Sequence, residues 1–267
     1  MERPIGIFDS GIGGLTVANA IRKKLPKESI LYFGDTAHLP YGDKSPESIR
    51  HYAARITAFL IQKKCKAIVI ACNTASSHAY QTVVDIAGPD IPVINVIDPV
   101  VAKVVERHSG EKVGVIATKG TIESRVYQKR IKKKDQSIKV AAVATPLLAP
   151  MIEEGFFNNQ ISQTIINSYL SKPSLKELQA LVLGCTHYPL IKREVKSYYT
   201  QKLDILDSPS IVASEVFEVL SWKQLLAEKN EPTYEFMVSD RTESFERSTK
   251  FFFKQKIALE EVRLFDL

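Results

Sequence analysis

The sequence predicts an α/β protein built on mainly parallel sheets, and three observations carry that prediction. Short apolar runs rich in β-branched or branched residues, such as Ala67-Ile68-Val69-Ile70-Ala71 and Leu181-Val182-Leu183-Gly184, have the length of strands buried on both faces. Such runs alternate with helix-length amphipathic stretches along the chain. Several of them break abruptly into small polar residues or glycines, the mark of a strand's C-terminal edge, where open α/β sheets bind ligands.

In chain order, Pro4 to Phe8 reads as the first strand, followed by Asp9-Ser10-Gly11-Ile12-Gly13-Gly14 and a helix from about Leu15 to Leu25. The glycines suggest a dinucleotide fingerprint, but G-x-G-x-x-G requires glycine where Thr16 stands, and Asp9 would repel a pyrophosphate. Gly11, Gly13 and Gly14 instead suit close backbone approach to a small anion. Ser29 to Phe33 is the next strand, and the loop from Asp35 to Pro46 falls at the same sheet edge. Ser45-Pro46-Glu47-Ser48 opens a helix with a capping serine and a first-turn proline.

The strand ending at Ala71 delivers Cys72-Asn73-Thr74, and a helix from about Ala75 carries His78. Ile91 to Ile97 is a strand, and Asp98-Pro99 marks a turn where one half of the chain ends. A helix from Val100 to His108, a strand from Lys112 to Ala117 and the turn Thr118-Lys119-Gly120-Thr121 open the second half. Ser137 to Ala144 is a strand, a helix starts near Met151 presenting Glu153, and Gln160 to Leu170 is helical. Ala180 to Gly184 then delivers Cys185-Thr186-His187-Tyr188-Pro189, with Pro189 in the first turn of a helix reaching about Tyr199. Leu203 to Leu206, Thr233 to Val238 and Val262 to Phe265 are strands, separated by helices at Ile211 to Glu228 and Glu243 to Lys254.

A length of 267 residues suits one large domain or two of roughly 100 to 150 residues. Hydrophobic residues at 45% and charged residues at 25% are ordinary for a globular chain, and no stretch approaches the ~18 apolar residues of a membrane span. The first ten residues run straight into a strand and leave no room for a signal peptide, so a cytoplasmic location is expected. Three cysteines are too few for a disulfide scaffold, which leaves free thiols. The net charge of +6 includes the run Arg130-Ile131-Lys132-Lys133-Lys134, but no aromatic residues interleave with it, so no nucleic-acid partner is expected.

Two strand-end cysteines, each followed by hydrogen-bonding residues, permit three chemistries. A zinc site could use Cys72, Cys185 and His187, although Cys-x-His is not a usual chelating spacing. A cysteine nucleophile could pair Cys185 with His187 or Cys72 with His78, which leaves the other cysteine without a role. The third is two-base proton transfer, in which one thiolate removes a proton from carbon and an opposing thiol returns one to the other face.

The segments FDSGIGGLTV, YFGDTAHLPYGDKS, ACNTAS, TKGTIES and LGCTHYPL, in that order and along essentially the whole chain, resemble the pattern of the glutamate racemase family. The resemblance implies a cofactor-independent, metal-independent enzyme that interconverts L- and D-glutamate for peptidoglycan. It implies two pseudo-symmetric α/β domains, residues 1–97 plus 208–267 and residues 98–207, with the active site in the cleft between them. It assigns proton transfer to Cys72 on the D-glutamate side, assisted by Asp9, and to Cys185 on the L-glutamate side, assisted by His187 and Glu153. It assigns substrate binding to Ser10, Tyr41, Gly42, Asn73, Thr74 and Thr186, with Thr118 and Thr121 as further candidates. The expected partner is the small-molecule substrate, with no membrane, and a homodimer is left open.

Overall fold

The computed structural model describes residues 3–199, 202–228, 231–255 and 257–264. The chain forms two sheets, and every strand pair among the described residues is parallel. The first begins with β1 (Ile5–Asp9), α1 (Leu15–Lys24), β2 (Ile30–Gly34), α2 (Pro46–Gln62) and β3 (Ala67–Ile70). It continues through α3 (Asn73–His78), α4 (Tyr80–Ala87) and β4 (Val93–Asn95). All residues of β1, β2 and β3 are buried, which is why these strands read as unbroken apolar runs rather than alternating ones.

The crossover helix α5 (Ile97–Arg107) leads into β5 (Lys112–Ala117), α6 (Lys119–Ser124), α7 (Val126–Lys134) and β6 (Lys139–Ala144). After α8 (Leu148–Glu153) and α9 (Gln160–Leu170) come β7 (Ala180–Gly184), α10 (Lys192–Tyr198) and β8 (Asp204–Asp207). The second crossover helix, α11 (Ser208–Trp222), precedes β9 (Tyr234–Val238), α12 (Glu243–Phe253) and β10 (Glu260–Glu261). The sheet orders are β10-β9-β2-β1-β3-β4 and β6-β5-β7-β8. The run β2-β1-β3-β4 therefore repeats in β6-β5-β7-β8 with the same connectivity. β9 pairs with β2 from Ile30↔Tyr234 to Gly34↔Val238, so the chain's last segment returns to the first sheet.

Some boundaries differ from those read in the sequence. Asp98-Pro99 lies in the first turn of α5 rather than in a turn, because the Asn95 side chain accepts hydrogen bonds at 2.9 Å from both the Ile97 and Asp98 N–H groups and caps the helix early. The helix near Met151 begins at Leu148 and ends at Glu153. Pro189 sits in a 3-10 turn, Tyr188–Ile191, ahead of α10. The last strand is Glu260–Glu261 rather than Val262 to Phe265, and Phe265 lies outside the described residues. Among the described residues no helix is long and apolar enough to cross a membrane.

One buried ion pair fastens the returning segment. Lys66 Nζ and Glu28 Oε2 are 2.6 Å apart, with side chains 6% and 2% exposed. Lys66 also donates to the Leu225 carbonyl at 2.7 Å, and Glu28 Oε1 accepts from the Ala227 N–H at 2.7 Å. Lys66→Met leaves Glu28 as an unpaired buried charge and is expected to cost about 3–5 kcal/mol, read by urea denaturation. A loss below about 1 kcal/mol would mean that water reaches the pair.

Candidate active site

Cys72 follows β3 and caps α3, its sulfur accepting from the Ala75 N–H at 3.4 Å and donating to Ser10 Oγ at 3.6 Å. Ser10 is there by register. β1 and β3 pair from Ile5↔Ala67 to Phe8↔Ile70, and two further residues along each strand bring Ser10 beside Cys72. Continued the same way, Ala117↔Gly184 brings Thr118 beside Cys185. Asp9 is fully buried beneath this wall, and its Oδ2 accepts from the N–H groups of Gly11 at 3.2 Å and Gly14 at 3.0 Å. The small anion that the glycine turn approaches is therefore the chain's own carboxylate.

At the edge of the second sheet, Cys185 Sγ lies 3.5 Å from His187 Nδ1, and His187 Nε2 lies 2.7 Å from Glu153 Oε1. Glu153 reaches the ring because it ends α8, and its side chain is 21% exposed against 6% for His187. Gly13, from the first half, packs directly on this imidazole. A Cβ at Gly13 would stand 2.4 Å from His187 Cε1 and 2.6 Å from Thr186 Oγ1, so only glycine fits there.

Both thiols line one cavity of about 240 Å³, large enough for a small amino acid. Ser10, Tyr41, Gly42, Asn73, Thr74, Thr118, Glu153, Thr186 and His187 line it too, as do Leu39 and Pro40 of the YFGDTAHLPYGDKS segment and Ala149 and Pro150, which no motif marked. Asp9 and Thr121 sit behind the wall: Thr121 Oγ1 bonds to Thr74 at 3.3 Å and accepts from Thr118 at 3.0 Å. Thr74 and Thr118 meet at 2.9 Å, joining the two halves. His78, left open by the sequence, turns away and places Nε2 3.1 Å from the Gly120 carbonyl.

Two supporting residues have no site role assigned from the sequence, although Asp35 lies within the YFGDTAHLPYGDKS segment. Tyr127 donates to Asn73 Oδ1 at 2.8 Å, which fixes the amide's orientation and leaves the buried Nδ2 donor without a protein partner. Asp35, buried at the end of β2, accepts from Tyr41 at 2.7 Å and Ser239 at 2.7 Å and holds Tyr41 at the cavity. Among the described residues, no group of three or more His, Cys, Asp or Glu side chains is placed to hold a metal ion.

Comparison with known proteins agrees along the chain. Residues 15–216 match the family described as Asp/Glu/Hydantoin racemase. The chain belongs to this family. It is 40% identical over 252 residues to the glutamate racemase of Chlorobaculum tepidum, an alignment covering 94% of this chain and 92% of that protein. The crystal structure of glutamate racemase from Francisella tularensis in complex with D-glutamate superposes with a TM-score of 0.94 at 40% identity, covering 100% and 99% of the two chains. That of the Thermus thermophilus enzyme in complex with β-chloro-D-alanine gives 0.89 at 36% identity, covering 100% and 99%.

In this member of the Asp/Glu racemase family the two thiols have unlike surroundings. Burial, reinforced by the Asp9 charge, pushes the Cys72 thiol up to about 12, against the opposing hydrogen bonds with Ala75 and Ser10. Burial also raises the Asp9 carboxyl, partly offset by His187 and the two backbone N–H groups. For His187, burial disfavours the charged ring, but Cys185 and then Glu153 outweigh it and hold the imidazole well above its ordinary pKa. Glu153→Gln removes one of the raising partners. Its His187 pKa is expected to fall, read by NMR of the imidazole protons, with turnover at neutral pH reduced about 10- to 100-fold. An unmoved titration midpoint would show that Glu153 does not set the charge on this ring.

Proposed function

We propose that the chain is a glutamate racemase working by two-base proton transfer between Cys72 and Cys185, supplying D-glutamate for peptidoglycan synthesis in the cytoplasm. The observation that carries this reading is one small cavity lined by two thiols, each delivered by the C-terminal edge of a different sheet. We also assign residues 1–97 plus 208–267 to one domain and 98–207 to the other.

With L-glutamate bound, Cys185 Sγ takes the α-proton and the electron pair of the Cα–H bond stays on carbon. The Cys72 S–H then delivers its proton to the opposite face, giving D-glutamate, a Cys185 thiol and a Cys72 thiolate. D-glutamate follows the reverse course. A Cys72 thiol pushed up to about 12 suits the donor role. In the D direction the substrate ammonium, a positive charge beside the sulfur, favours the thiolate that this step requires.

Negative charge developing toward the α-carboxylate is met by oriented donors. Asn73 Nδ2, with its amide held by Tyr127, is one, and the hydroxyls of Ser10, Thr74, Thr118 and Thr186 are others. His187, bridged between Cys185 and Glu153 and held above its ordinary pKa, carries the positive charge that favours the Cys185 thiolate. Asp9, its Oδ2 fixed by two N–H groups and its carboxyl raised by burial, assists Cys72 from behind the cavity wall, and Tyr41 and Gly42 close the substrate pocket.

The test is proton NMR of the purified protein with L-glutamate in deuterium oxide, without added cofactor, beside circular dichroism. Loss of the α-proton signal together with decay of ellipticity to zero is expected. Turnover of aspartate alone would move the reading to another substrate, and no change with either acid would overturn it.

A further inference from the structure

The second half's proton-transfer unit is completed by a helix that follows the return of the chain to the first sheet. α12 ends in three consecutive aromatic residues, Phe251-Phe252-Phe253, and residues about 100° apart on a helix point to three different surroundings. Phe251 meets Phe157 edge-on at 5.4 Å between ring centroids. Phe253 packs on Phe236 of β9 at 4.8 Å and beneath the Arg22 guanidinium of α1 at 4.8 Å, which anchors the helix to the first half. Phe252, 1% exposed, meets the His187 ring edge-on at 5.3 Å with an interplanar angle of 82°. One turn earlier, Ser248 donates to the Glu153 carbonyl at 3.3 Å.

We propose that Phe252 is a positioning residue for His187, so that Cys185 proton transfer depends on α12 whereas Cys72 proton transfer does not. The inference rests on the two-thiol racemase reading and assigns an origin to an asymmetry inside it. The Cys72 unit is built within the first half: β1 supplies Asp9, the turn after it Ser10, and the β3–α3 junction Cys72. The Cys185 unit is assembled across the cleft. His187 has Gly13 against it from the first half and Phe252 from α12, and Thr16 Oγ1 donates to the Thr186 carbonyl at 3.0 Å. Hydrogen bonds at both nitrogens set how far the imidazole reaches, and packing sets the plane in which it lies. Both are needed for Nδ1 to stay on the sulfur.

The experiment introduces Phe252→Leu and, separately, Ser248→Ala into the Cys72→Ser and Cys185→Ser backgrounds, each of which retains one working thiol. Exchange of the α-proton into deuterium oxide is then measured with L- and with D-glutamate. Phe252→Leu is expected to slow L-glutamate exchange at Cys185 by about tenfold or more, because small displacements of a reacting group are costly. D-glutamate exchange at Cys72 should change less than about twofold by the same argument. Ser248→Ala is expected to show the same preference more weakly.

His187 is titrated in ligand-free protein by NMR alongside, a readout that needs no turnover; in Phe252→Leu its pKa should drop as the ring loosens from Cys185 and Glu153. Equal losses on both sides, or unchanged exchange with an unchanged His187 midpoint, would overturn the positioning role. Absence of any exchange in both parent backgrounds would instead remove the glutamate reading, and the His187 titration would then decide the positioning role alone.

Discussion

Cys72→Ser is expected to abolish racemisation while L-glutamate continues to exchange its α-proton with solvent, and Cys185→Ser is expected to show the same behaviour with D-glutamate. Serine's hydroxyl is a far weaker acid than a thiol, so it neither takes nor gives the proton at a useful rate, and racemisation should fall by about a hundred- to ten-thousand-fold. The surviving thiolate still removes the proton on its own face. Its sulfur exchanges that proton with deuterium oxide and returns a deuteron to the same face, so the label enters without inversion. Cys72→Ser should also keep its fold, because the serine hydroxyl can replace sulfur as the acceptor of the Ala75 N–H that caps α3. Retained racemisation in either variant, or exchange of the enantiomer opposite to the one expected, would sink the assignment of one thiol to each face.

What the sequence could show follows from the range of the interactions involved. Cys72 and Cys185 are legible because their signal is local: a buried apolar run followed at once by a polar cap, both within a few residues. The early start of α5 is set by the Ile97 and Asp98 N–H groups donating to Asn95 Oδ1, which periodicity does not carry. The pairing of β9 with β2 is a contact between segments about two hundred residues apart, and only the family resemblance anticipated it. The glycine turn shows the limit most clearly. Its composition suggests close approach to a bound small anion, whereas the N–H groups of Gly11 and Gly14 go to Asp9 in the same motif. The need for glycine at position 13 comes from His187, far along the chain. Phe252 is likewise only an apolar helix position until the fold brings it to the imidazole.

Gly13→Ala should damage both turnover and stability. The new Cβ would lie 2.4 Å from His187 Cε1, 2.5 Å from Nδ1 and 2.6 Å from Thr186 Oγ1, roughly an ångström inside the ~3.5 Å at which carbon contacts are favourable. The imidazole must leave its place between Cys185 and Glu153, or the two halves must separate. Either costs about a hundredfold in turnover through lost alignment, and overpacking adds about 1–3 kcal/mol of destabilisation. The enantiomers have equal free energy in water, so kcat/KM must fall by the same factor in both directions even though the damage lies on one wall. Steady-state racemisation therefore cannot locate it, whereas exchange can. Placed in the Cys72→Ser background, Gly13→Ala should stop L-glutamate exchange. In the Cys185→Ser background, D-glutamate exchange should persist if the imidazole alone has moved and disappear if the halves have parted. A Gly13→Ala protein with normal racemisation and an unshifted His187 titration would show that the contact yields freely, and that His187 is held by its hydrogen bonds alone.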